Sequence, residues 1–245
     1  MMHSGPGERC PNPGHKAWIS LKAGLVNGWR AAQVHGTSSH GVRLYIQMLE
    51  EAMEEANLSV EYVRNLRLTL EHNQVLGNVP DVMEGIKKYG IILNAQPTLL
   101  PEVPKLIDDY GEELRKFAMP VKTWINQGIR VTFEASGTDF WGPIHILVTR
   151  KTPIRRAYTE SHILLPEEAI DRVTALKMAT TWASEYMLAE KTVGTLEPGK
   201  FADFAVLEKD FFTVPVEEIL DMKVVMTGLS GKIVHDSAGL AAGAN

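Results

Sequence analysis

Four short apolar runs, each followed by a stretch with helical spacing, constrain what this chain can fold into more than anything else in its sequence. The first run covers residues 30–35 and ends in Val34-His35-Gly36, and the second covers 66–70 and ends at Glu71-His72-Asn73. The third, 91–93, stops at Asn94-Ala95-Gln96-Pro97, and the fourth, 129–133, runs into the turn Ala135-Ser136-Gly137-Thr138-Asp139. Between them, residues 42–56 place Val42, Tyr45, Leu49 and Met53 on one helical stripe. Residues 79–89 read as a helix with Pro80 tolerated in its first turn, and 101–127 as one or two helices broken near Pro120. Strands that alternate with helices predict a parallel sheet with right-handed crossovers, an α/β fold.

The flanks have a different character. Residues 1–16 are rich in Gly and Pro and read as a loop, followed by a helix over 16–27. Helices are expected again over 166–189, and the apolar, methionine-bearing part from 176 to 188 reads as core. The tail then turns to strands: a turn over 194–200, a strand over 201–207, and a hairpin over 223–235 around Gly228 or Gly231. So small a β region cannot fold alone and must dock on something larger. From Asp236 onward the Ala/Gly-rich end is expected to fray. The expected organisation is a partial (β/α) barrel over 1–190, a small β segment over 191–235, and a tail over 236–245.

Composition excludes several classes of partner. A formal net charge of −5 gives no positive field to attract nucleic acid or an anionic membrane. No apolar run approaches the ~18 residues that span a bilayer, and residues 1–7 lack the basic and apolar regions of a signal peptide. The single cysteine, Cys10, forms no internal disulfide and fits a reducing compartment. The expectation is a cytoplasmic protein that meets a small-molecule substrate.

Three of the strand ends carry a side chain able to ligate a metal: His35, His72 and Asp139. In (β/α) barrels the reacting groups sit at the C-terminal ends of the strands, because the loops there converge on one mouth. Two imidazoles, one carboxylate and a water make a ligand set typical of hydrolytic zinc. Such an ion lowers the pKa of its water to roughly 7 and polarises a carbonyl oxygen, while Asp139 can take the proton and pass it to a leaving amine. Each residue also has a plainer reading: His35 as an ordinary strand-end histidine, His72 paired with Glu71, and Asp139 bonding its own turn. Gln96 is a candidate to position a substrate carbonyl, and Trp141 to line a pocket, although packing under a loop is the commoner fate of such a Trp. Lys151, Arg155 and Arg156 read as a solvated basic patch rather than a carboxylate site. His145 and His162 have no evident partner in the sequence. His3, Cys10 and His15 have the spacing of no known metal motif.

The tail carries the most specific motif. Gly194-Thr195-Leu196-Glu197-Pro198-Gly199-Lys200-Phe201-Ala202-Asp203-Phe204-Ala205-Val206-Leu207 resembles the G-x-(L/I)-x-P-G-K-x-A-D-x-x-V-L signature of the amidohydrolase superfamily. Upstream, Ala175-Leu176-Lys177-Met178-Ala179-Thr180 with Trp182-Ala183 resembles the helix that precedes that signature. Downstream, Asp210-Phe211-Phe212-Thr213-Val214-Pro215 and residues 224–234 resemble its ending. These features resemble family 3 of that superfamily, which includes N-substituted formamide deformylases. The resemblance runs from about residue 17 to 235.

It implies that His35, His72, Gln96 and Asp139 close strands five, six, seven and eight of a (β/α)8 barrel of the TIM type, so the chain would be the second half of that barrel plus the C-terminal part of a small β domain. It further implies hydrolysis of a carbon–nitrogen bond in an amide or cyclic amide, with a divalent metal, zinc by preference, held by His35, His72 and Asp139. One ion is expected from this chain and a second only in a complete barrel. The family's His-x-His at the end of strand one has no counterpart here, nor does its strand-four residue. The chain is therefore expected to be a truncated product or one half of a split enzyme. An opened half-barrel has edge strands that invite association, so a homo-oligomer or a complementing N-terminal half is expected. The alternative is a non-catalytic assembly subunit with vestigial ligands.

Overall fold

In the computed structural model of this chain, residues 12–135, 137, 139–151 and 163–243 are described. His3, Cys10, Arg155, Arg156 and His162 lie outside them. By internal packing the chain divides into two units, 1–134 and 135–245. The boundary expected at residue 190 falls inside the second unit.

The first unit begins with α1 (Lys16–Val26), capped by the His15 ring, which accepts from the Ala17 N–H. Then come β1 (Val34–His35), α2 (Ser39–Ala56), α3 (Val60–Leu66), β2 (Thr69–His72), α4 (Pro80–Tyr89) and β3 (Ile92–Ala95). The 101–127 region is more broken than expected: a 3-10 segment (Pro97–Glu102), α5 (Val103–Tyr110), a second 3-10 segment (Glu112–Phe117) and α6 (Val121–Asn126). Prolines mark the fragmentation: Pro97, Pro104 and Pro120 stand at the starts of helical segments, where a missing N–H breaks no helical bond, and Pro101 lies inside the first 3-10 segment. The unit closes with β4 (Val131–Phe133).

The second strand sits further along than its apolar run suggested. Ser59 caps α3 by accepting from the Tyr62 N–H, which draws residues 60–66 into a helix; Arg67 ends it in the left-handed region. The strand is left to start at Thr69. Helix α4 matches expectation, with Pro80 in its first turn and Gly90, at φ 63°, ending it.

The four strands form one parallel sheet in sequence order, β1-β2-β3-β4. Their registers align Val34, Leu70, Leu93 and Val131 in one row and His35, Glu71, Asn94 and Thr132 in the next. Adjacent residues on a strand point to opposite faces, so one face carries an apolar row and the other a polar one. Leu70, Leu93 and Val131 are fully buried, as are Val42, Tyr45 and Leu49 on α2, and they form the core of the unit with Ile86 of α4.

The second unit contains α7 (Trp141–Thr149), a 3-10 turn (Pro166–Glu168), α8 (Arg172–Ala179), α9 (Thr181–Tyr186) and strands β5 (Phe204–Leu207), β6 (Val224–Leu229) and β7 (Lys232–Asp236). The long apolar helix expected over 176–188 breaks at Thr180, whose φ −125° and ψ −88° are not helical. Met178 of that stretch is core, but Met187 and Leu188 are exposed. The three strands form an antiparallel sheet in the order β5-β6-β7. Ser230 and Gly231, both at positive φ, make the hairpin turn, while Gly228 lies in β6 opposite Phe204, whose ring covers the space a side chain would fill. The tail is more ordered than expected. Asp236 accepts from the N–H groups of Leu240 and Ala241 and starts a 3-10 turn (Leu240–Gly243). Among the described residues no helix is long and apolar enough to cross a membrane.

Candidate functional site

Three charged or hydrogen-bonding strand ends of the first unit meet at the C-terminal rim of the parallel sheet. His35 is the last residue of β1, and the Gly36 N–H that follows it donates to the Glu71 carbonyl on β2. Asn73 Nδ2 in turn donates to the Gly36 carbonyl (3.1 Å), so the chain leaving β2 holds the chain leaving β1.

His72 reaches this cluster through an unusual backbone. Simple alternation would point it away from His35, toward the face of Leu70. Its φ is +70°, however, and that of Asn73 is +52°, so the chain bends out of the strand at this point. The His72 ring thereby meets the His35 ring edge to face, with centroids 4.3 Å apart. Its Nδ1 lies 2.6 Å from Glu134 Oε1. Glu134 is on the polar face by alternation from Thr132, and its N–H extends the ladder by donating to the Ala95 carbonyl (2.8 Å).

Beneath the imidazoles the polar row is tied together. Thr69 donates its hydroxyl to Glu71 Oε1 (3.1 Å), Asn94 Nδ2 donates to Glu71 Oε2, and Thr132 donates its hydroxyl to Asn94 Oδ1 (2.8 Å). All four side chains are buried, so each hydrogen bond also spares a desolvated polar group. The plain expectation that His72 pairs with Glu71 is thus replaced: Glu71 is bound to Thr69 and Asn94, and His72 to Glu134.

Electrostatics follow from this packing. Loss of water lowers the pKa of the His35 imidazole, and the nearby His72 ring lowers it further against the opposing pull of Glu71. The shift favours the neutral ring, the form in which an imidazole binds a metal. Burial raises the pKa of the Glu134 carboxyl, opposed by its contact with His72.

The other expected residues lie as follows. The Gln96 N–H donates to the His72 carbonyl (3.0 Å), so its backbone is fixed to the site. Asp139 belongs to the second unit, where its Oδ1 accepts from the Gly142 N–H (2.9 Å) at the start of α7. A Cβ at position 142 would collide with that carboxylate, which is why glycine suits the position. Trp141 opens α7 and packs against Phe140 and Phe211, with centroids 4.9 and 5.7 Å away. His145 is buried on the same helix, and Lys151 bridges to Ile163. Among the described residues no group of three or more His, Cys, Asp or Glu side chains is gathered closely enough to hold a metal ion. The structure brings His35 and His72 together and adds Glu134, outside the set expected from the sequence, where its spacing of two from Thr132 is the one signal of its face.

Two imidazoles meeting edge to face and backed by a carboxylate, at the carbonyl ends of parallel strands, have the chemistry of a divalent-cation ligand pair with its outer partner, in a fold of the α/β class. The chain belongs to the amidohydrolase family, whose model matches residues 26–235, in the family 3 branch of the superfamily. It is 29% identical over 234 residues to YtcJ of Bacillus subtilis (strain 168), an amidohydrolase by name, with 84% of this chain aligned to 42% of that protein. The chain thus spans less than half the length of this relative. Among solved structures it resembles an uncharacterized metal-dependent hydrolase of Pyrococcus horikoshii OT3 (TM-score 0.61, 20% identity, 80% of this chain and 39% of that one). A counterpart from Pyrococcus furiosus gives a TM-score of 0.54 at 23% identity, over 75% of this chain and 34% of that one. An adenosine deaminase of Xanthomonas campestris with bound zinc gives 0.57 at 13% identity, over 90% and 48%. These likenesses are of fold.

Proposed function

We propose that this chain is part of a metal-dependent hydrolase acting on carbon–nitrogen bonds other than peptide bonds, in an amide or cyclic amide. The observation that carries the reading is the pair of imidazoles, His35 and His72, face to edge at adjacent strand ends. In this proposal His35, His72 and Asp139 ligate one ion. Zinc is favoured by the imidazole–carboxylate donor set and by its presence in the similarly folded deaminase. Such an ion, when bound, lowers the pKa of water and polarises a carbonyl.

The chain's own groups supply the rest. His35 and His72 present ring nitrogens to the ion. Asp139 takes the proton of the attacking water and returns it to the leaving amine. Gln96, anchored to the His72 carbonyl, offers its carboxamide to the substrate, and Trp141 supplies an apolar wall. The four-stranded sheet stands for strands five to eight of a (β/α)8 barrel, and β5–β7 for part of the small β domain.

Titration of the protein with Zn2+ tests the reading. About one tightly held ion per chain, lost in His72→Ala, supports it; no bound metal overturns it. The alternative reading is a non-catalytic assembly subunit. It predicts no amide turnover even in zinc-loaded protein. A Xaa-Pro dipeptidase shares the fold at 11% identity, so a Xaa-Pro dipeptide belongs in the same assay. Its hydrolysis in preference to simple amides would overturn the non-peptide specificity.

A further inference from the structure

We infer that Glu134 is a positioning residue for the metal site: its carboxylate holds the proton on His72 Nδ1 and so leaves Nε2 as the nitrogen that faces an ion. The inference rests on the proposed role of His72 as a ligand and adds a residue outside the expected set.

The geometry supplies the argument. Neutral imidazole carries one proton, on either of two nitrogens, and a hydrogen-bond partner at one nitrogen decides which. Glu134 Oε1 lies 2.6 Å from Nδ1, a short contact of the kind a carboxylate makes with an imidazole N–H. A carboxylate accepts there and has nothing to donate, so the Nδ1–H tautomer is selected and the lone pair sits on Nε2. Both partners are held from the backbone as well. The Glu134 N–H is bound to the Ala95 carbonyl and the His72 carbonyl to the Gln96 N–H, which spans β2, β3 and β4. Glu71, the nearest alternative carboxylate in the sequence, is engaged with Thr69 and Asn94. The arrangement therefore gives His72 one carboxylate partner whose effect is on ring orientation and basicity, as an outer partner of a metal-bound histidine requires.

The test uses zinc affinity, read by competition with a chromogenic chelator, and the imidazole 15N shifts of the metal-free protein. Glu134→Ala is expected to weaken zinc binding about 10–100-fold and to move His72 toward the Nε2–H tautomer. Glu134→Gln keeps an acceptor but no charge and is expected to fall between Ala and wild type. Glu134→Asp is expected to restore part of the affinity. If Glu134→Ala does not fold, judged by circular dichroism, the Gln variant carries both readouts. Unchanged affinity and an unchanged His72 tautomer in these variants overturn the inference when His72→Ala has lost zinc. Unchanged zinc binding in His72→Ala instead overturns the ligand reading itself, and the inference with it.

Discussion

The two sheets of this chain are built on opposite plans. The parallel sheet β1–β4 is buried through its centre, with every residue of β3 and most of β2 out of water. The antiparallel sheet β5–β7 is half open: all but the last residue of β7 are exposed, and only Met226 and Gly228 of β6 are buried. A strand covered on both faces reads as an unbroken apolar run, so a polar residue inside it must have a partner or a task. On a half-open sheet the same residue needs neither. The chemistry-bearing side chains accordingly stand at the end of the buried sheet. The other sheet carries the family's most specific sequence motif without a comparable cluster among its described residues.

Breaking the buried polar row should cost most. Glu71→Ala strands Thr69 and Asn94 in a dry interior, and we expect about 3 kcal/mol of lost stability in urea unfolding. A loss below 1 kcal/mol would show that the row is better hydrated than its burial implies. Next comes Gly228→Val on β6, which must displace the Phe204 ring that covers Gly228. We expect about 2 kcal/mol, with the change seen in the near-ultraviolet signal of the aromatic rings. Gly231→Ala places a side chain at φ 77° in the hairpin turn and should cost about 1 kcal/mol. The smallest effect is expected at Val234→Thr, on the exposed edge of β7, within about 0.5 kcal/mol of wild type. A larger loss there would mean that this edge is covered by another chain, and would weaken the contrast between the sheets.

The alternation of strands and helices was legible in the sequence because a buried parallel strand leaves a compact apolar mark. What periodicity missed had local causes. Helix α3 is only about two turns long and owes its existence to the Ser59 cap rather than to an apolar stripe. Helix α7 is apolar on all sides, so it has no stripe to find. At the site, His35 and His72 stood out by residue type and position. Glu134 did not, because a glutamate after a strand is ordinary until the bend at His72 brings the two together. That bend lies in backbone angles, which a residue pattern does not display.

Two consecutive non-glycine residues, His72 and Asn73, are held in the left-handed region, each at a cost of roughly 1 kcal/mol or more. If His72 ligates an ion as proposed, the main chain beside its imidazole is already bent, and little backbone flexibility would remain to be surrendered when a cation arrives. Calorimetry of zinc capture should then show almost no chain-ordering entropy. A large unfavourable entropy would mean that this corner forms only around the ion.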